Sequence, residues 1–114
     1  MPFINLKTTK KITSESEAAL RREFGEKIAL LSGKSEEWLM LGFEDGCRMA
    51  FRGEATSDMA FIEVQIFGKA SASDYAKLTA ALTDTVSEIL GIAPDMVYIK
   101  YEEVSTWGWN GVNF

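Results

Sequence analysis

Proline stands at position 2, behind a methionine. Methionine ahead of a small residue such as proline is normally trimmed during maturation, which leaves Pro2 as an N-terminal secondary amine. A free α-amino group titrates near ~7.7–8 in water, and burial in an apolar setting or a neighbouring cation lowers that value. Such an amine is neutral at pH 7 and can serve as a general base, since proton transfer is efficient when the pKa lies near the working pH. With Met1 attached, the same nitrogen is a tertiary amide and no base at all. The plainer alternative is that Pro2 opens an edge strand, where its missing N–H costs nothing.

A cation and several aromatics could complete such a site. Lys34 follows a glycine in Gly33-Lys34-Ser35. It either satisfies the last carbonyls of a helix or holds an anionic substrate and depresses the Pro2 pKa. Tyr98 and Lys100 alternate with Val97 and Ile99 and so share one strand face. Trp107, Trp109 and Phe114 form an aromatic C-terminus, a pattern that suits packing and, beside a cation, a small planar anion.

Other chemistry is excluded by composition. The chain has no histidine, which removes Ser-His-Asp and Cys-His catalysis and nearly every zinc site. Neither a metal nor a cofactor is expected. The single cysteine, Cys47, can form neither an intrachain disulfide nor a Cys-x-x-Cys pair, and it suits a reducing compartment. The net charge is −5, so nucleic acid is not an expected partner, because duplex binding needs clustered Lys and Arg. The only basic pairs, Lys10-Lys11 and Arg21-Arg22, are expected to be solvated. No apolar run approaches the ~20 residues of a membrane span. The first residues lack the charged region, apolar core and cleavage site of a signal peptide. A cytoplasmic protein of one domain, 1–114, is the expectation, with 46% apolar and 25% charged residues.

Two helices must position these residues. From Ser14 to Ser32 the face is Leu20, Phe24, Ile28 and Leu31, behind a Ser14/Glu17 capping box and ahead of Gly33. From Ser71 to Leu90 the face is Leu78, Leu82, Val86 and Ile89, started by Ser71 with Asp74, or by Ser73, and stopped by Gly91. The two sets differ by 58 at every position, and Gly33 and Gly91 keep that offset. Glu37–Glu44 then maps onto Asp95–Glu102, and Phe3–Leu6 onto Phe61–Val64, each reading as a strand. The chain is two β-α-β repeats, about 2–44 and 60–102.

Within each repeat the strands should run parallel with a right-handed crossover. The predicted class is α/β, a two-layer α+β arrangement with a four-stranded mixed sheet and both helices on one face. The strands read as apolar at nearly every position, as in Phe61-Ile62-x-Val64-x-Ile66-Phe67. Strands buried on both faces read this way, so an oligomer is expected to cover the second face. Residues 47–51 and 105–114 are expected to form short edge strands paired with a neighbouring subunit, and 53–58 is the loop between repeats. A ferredoxin-like domain has the same element order and is the rival.

Taken together, Met1-Pro2-Phe3-Ile4, Gly33-Lys34-Ser35, Met49-Ala50-Phe51, Gly68-Lys69, Pro94-Asp95-x-Val97-Tyr98-Ile99-x-Tyr101 and Gly108-Trp109-Asn110-x-x-x-Phe114 resemble the macrophage migration inhibitory factor family of the tautomerase superfamily. The resemblance runs from first residue to last, with the motifs in order. It implies a homotrimer whose sheets wrap into a barrel-like core, with an active site at each subunit interface. It also implies a cofactor-free keto–enol tautomerase of phenylpyruvate-like aryl 2-keto acids. Pro2 would be the catalytic base. Lys34 would bind the carboxylate or carbonyl, the Phe67 N–H would be a main-chain donor, and Tyr98 of a neighbouring subunit would line the pocket. Trp109 and Phe114 would form its aromatic wall.

Two departures accompany the resemblance. Lys100 replaces the asparagine of the best-known members, a second cation for the substrate. No Cys-x-x-Cys occurs at Ala55-Thr56-Ser57-Asp58-Met59, so no thiol-oxidoreductase activity is expected. The alternative implied function is that of a leaderless cytokine-like ligand for a host receptor, secreted without a signal peptide.

Overall fold

The computed structural model describes residues 1–114. The order is β1 (Pro2–Thr8), α1 (Ser14–Lys27), β2 (Met40–Glu44), β3 (Ala60–Phe67), α2 (Ala72–Leu90), β4 (Val97–Val104), β5 (Gly108–Trp109) and β6 (Val112–Asn113). The main sheet runs β2-β1-β3-β4, with β1 parallel to β2, β3 parallel to β4, and β1 antiparallel to β3. It is the predicted four-stranded mixed sheet. The 58-residue offset extends to strand register: Phe3 lies opposite Met40, and Phe61 opposite Tyr98. Even the short 3₁₀ turns ahead of the second strands, Glu36–Trp38 and Pro94–Met96, obey it. One core joins the layers, with Ile4, Leu6, Ile62, Val64 and Ile66 of the sheet packed with Leu20, Phe24, Leu78, Leu82 and Val86 of the helices.

Pro2 does open a strand, but not an edge one. β1 is interior, between β2 and β3. A proline is tolerated at the first residue of such a strand, before the ladder requires its N–H.

The helix boundaries show which local signals win. Thr13, not Ser14, caps α1, its hydroxyl accepting from the Ser16 N–H at 3.1 Å. Thr13 is extended whereas Ser14 is already helical, so only Thr13 can turn its oxygen back on the first turn. The α-helix stops at Lys27 and tightens into a 3₁₀ turn over Ile28–Leu30, short of Ser32. Leu31 stays buried nonetheless. In α2, Ser71 accepts from the Asp74 N–H at 3.0 Å, and Gly91 ends the helix with φ +70°. Lys10 is not solvated as its sequence context suggested: its ammonium donates to the Leu90 carbonyl and closes the same helix end.

Strand alternation corrects the reading of β-faces. The buried side of β1 and β3 is Ile4, Leu6, Thr8, Ala60, Ile62, Val64 and Ile66, all facing the helices. The intervening residues include Asn5, Lys7, Glu63 and Gln65. The second face therefore carries charge at its centre and aromatics, Phe3, Phe61 and Phe67, toward its ends. Lys7 and Lys100 both reach Glu63, at 3.3 and 3.5 Å, and Lys100 reaches Glu102 at 2.8 Å. The apolar run in β3 looked continuous only because polar residues occupy the alternate positions left unspecified in the motif.

Two further segments lie outside the main sheet within the chain. Residues 47–51 form no strand; Phe51 makes an isolated bridge with Glu54. At the C-terminus, β5 and β6 pair with each other. Asn110 and Gly111 at φ +53° and +78° supply the two left-handed residues that a tight hairpin requires.

Candidate active site

The start of β1 meets the end of β3, where Pro2 lies opposite Ile66 and is buried. One residue on, the Phe67 N–H donates to the Met1 carbonyl at 3.0 Å. Lys34 arrives from the other side of this point. The tight end of α1 and Gly33, at φ +80°, turn the chain so that the Lys34 N–H donates to the Leu31 carbonyl. Its ammonium then donates to the Phe67 carbonyl at 2.9 Å, not to a helix end. Both backbone groups of Phe67 are thus used, one on Met1 and one on Lys34. The amine at this terminus, that of Met1, is held below its ordinary value, by burial first and by the Lys34 ammonium second.

An aromatic cleft opens beside this junction. Its volume is about 670 Å³, and its lining includes Met1, Pro2, Phe3, Trp38, Trp107 and Trp109. Trp38 and Trp109 meet edge to face, with ring centroids 5.1 Å apart and planes at 87°. Phe114 stacks on Trp109 at 15° and 6.4 Å, and lies 5.8 Å from Phe67. The β5–β6 hairpin holds this wall in place, with the Phe114 N–H donating to the Trp107 carbonyl at 3.0 Å. The C-terminal aromatics therefore build a cleft, not a packed core.

Six of the residues singled out in the sequence converge here: Pro2, Lys34, Phe67, Trp107, Trp109 and Phe114. Tyr98 and Lys100 do not join them within one chain. Tyr98 is in register with Phe61, which lies opposite Lys7, whereas Pro2 lies opposite Ile66. Five residues of strand separate those positions, roughly 17 Å. Tyr98 packs edge-on against Phe51 and Phe61, at 4.9 and 6.3 Å. Lys100 is held by Glu102 and Glu63, and the hydrogen bond its ammonium donates to Glu102 chiefly raises its pKa.

Trp38, Glu37 and Gln65 line the cleft without having been singled out. Trp38 could have been found from its place in the turn just after Lys34, and from its want of a partner in the second repeat, where the equivalent position is Met96. No group of three or more His, Cys, Asp or Glu residues is placed to hold a metal ion.

Comparison with known proteins bears on this arrangement over its full length. The profile of the family described as Macrophage migration inhibitory factor (MIF) matches residues 1–114. The chain belongs to that family. Macrophage migration inhibitory factor of Rattus norvegicus is 29% identical over 117 residues, spanning 100% of this chain and 99% of the relative. Among solved structures, MIF2 of Leishmania major superposes with a TM-score of 0.93 at 25% identity, covering 100% of this chain and 97% of that one. A migration inhibitory factor homologue from Prochlorococcus marinus gives 0.87 at 29% identity, with 98% of each chain covered. Membership of the MIF family, within the tautomerase superfamily, supports a tautomerase or MIF-like function in general terms. No helix is long and apolar enough to cross a membrane.

Proposed function

We propose that the chain, once Met1 is removed, is a cofactor-free keto–enol tautomerase acting on phenylpyruvate-like aryl 2-keto acids. The observation that carries this reading is the meeting of Pro2, next to the Met1 amine, with the Lys34 ammonium and the Phe67 backbone at one end of an aromatic cleft. Loss of Met1 frees the Phe67 N–H from the Met1 carbonyl and converts Pro2 from a tertiary amide into a secondary amine. Burial and the adjacent cation favour the neutral form of an amine at this position. Pro2 then takes a proton from the carbon next to the keto group and returns it to the enolate, on oxygen for the enol or on carbon for the keto form. Lys34 binds the substrate carboxylate or carbonyl, and the freed Phe67 N–H donates to the oxygen on which charge develops. The aryl ring lies against Trp109 and Phe114.

Tyr98 stands too far from Pro2 to serve the same copy. We assign it to the site of a neighbouring subunit, with Lys100 on the same strand face, in a homotrimer of the kind the family resemblance implies. The polar second face of the sheet, with its Lys7–Glu63–Lys100–Glu102 network, would line the interior of that assembly. Lys100 would need to leave its carboxylates to reach a substrate. A receptor-binding role is supported only through family membership, and the enclosed amine and cation favour the enzyme.

The test is phenylpyruvate keto–enol exchange with the native chain and Pro2→Gly, each checked by intact mass for loss of Met1. A glycine amine lacks the ring that fixes the direction of the lone pair, so exchange should fall by roughly tenfold or more. Unchanged exchange in that variant sinks the mechanism, and so does full activity in a chain that keeps Met1.

A further inference from the structure

All three tryptophans of the chain, Trp38, Trp107 and Trp109, line the one cleft. Indole rings present a negative face and are the best aromatic partners for a cation. Glu37 is the only ionisable side chain lining the cleft with them. Its neighbour Glu36 is turned away, since its carboxylate lies over Gly25 of α1, where even a methyl group would collide with it. The 3₁₀ turn Glu36–Trp38 thus divides two adjacent acids, one to the helix and one to the cleft. Glu37 enters none of the chain's salt bridges. One unpaired carboxylate thus stands among the indoles, while Lys34 lies outside the cleft lining, on the Phe67 carbonyl beside the base.

From this juxtaposition we infer that the preferred substrate is an aryl 2-keto acid whose ring carries a cationic group. Its carboxylate lies toward Lys34 and its cation lies between Glu37 and the faces of the tryptophans. This rests on the tautomerase reading and names the substrate class for the same cleft. Trp38 and Trp109 are 42% and 49% exposed, so water weakens both attractions. The preference should be moderate, roughly three- to tenfold.

Two probes of the same shape decide it: phenylpyruvate bearing a para-trimethylammonium group, and its uncharged para-tert-butyl counterpart. Both are measured by KM in the exchange assay and by Kd from quenching of tryptophan fluorescence. The native chain should hold the ammonium compound three- to tenfold more tightly in both measurements. Glu37→Gln should remove most of that preference, which also separates a local effect from the attraction of a chain of net charge −5. Equal binding of the two probes by the native chain overturns the inference, as does a preference that survives intact in Glu37→Gln. Should neither probe nor phenylpyruvate itself be turned over, the tautomerase reading fails, and the quenching titration still decides the cation preference.

Discussion

Replacing Lys34 with methionine removes the cation but keeps most of the side chain's apolar length. The Lys34 ammonium lies 2.9 Å from the Phe67 carbonyl, while the N–H of that residue lies 3.0 Å from the Met1 carbonyl. Like charges about 4 Å apart repel by about 1 kcal/mol in bulk water and about 4 kcal/mol at the effective dielectric of a protein surface. Lys34 is half-buried, so solvent screens its effect on the amine toward the lower of these limits. A cation lowers the pKa of a neighbouring amine, so Lys34→Met should raise it. The acid limb of kcat/KM for phenylpyruvate reports the free enzyme's base. It should therefore move to higher pH, with a lower plateau because the substrate's anion has lost its partner. An acid limb at the same pH in both proteins refutes the coupling between Lys34 and the N-terminal amine. A shift to lower pH would refute it more directly.

Stability gives further checks. Phe24 is fully buried between the layers, so Phe24→Ala should lower the free energy of unfolding by about 3–5 kcal/mol in urea titration; a loss below about 1 kcal/mol would contradict its place in the core. For Glu63, burial alone would raise the pKa, but hydrogen bonds from Lys7 and Asn5 and the charges of Lys7 and Lys100 outweigh it, and the net shift is downward. Its contribution is present above the ordinary carboxylate value of 4.5 and is lost as pH falls through the lower folded value. Glu63→Gln should thus be less stable than the native chain at pH 7, by up to about 1 kcal/mol. The gap between their thermal midpoints should close on acidification, and a gap that widens toward low pH would refute the assignment.

How far the site could be read in advance depended on distance along the chain. Pro2, Lys34, Trp109 and Phe114 were accessible as types: a potential amine, a cation after a glycine stop, and aromatics near the C-terminus. Their convergence was not, because it requires the end of β3 to lie beside the start of β1 and the turn after α1 to fold back on Phe67. Glu37 and Trp38 escaped notice because a strand was expected where a 3₁₀ turn forms. Only that turn separates Glu36 from Glu37 and brings Trp38 against Trp109.

The two helices, the Ser71 cap, the stop at Gly91 and the 58-residue repeat were legible in the sequence alone. Each depends on periodicity or capping over a few residues, where hydrophobic spacing and backbone sterics act locally. Tertiary structure decided the rest. It made β1 an interior strand and turned Asn5, Lys7 and Glu63 to the face away from the helices. It bound Lys10 to the end of α2, and it set Tyr98 at the far end of the sheet from Pro2. Strand order, side-chain facing and long-range hydrogen bonds are settled by which surfaces bury together, and no window of sequence carries that information.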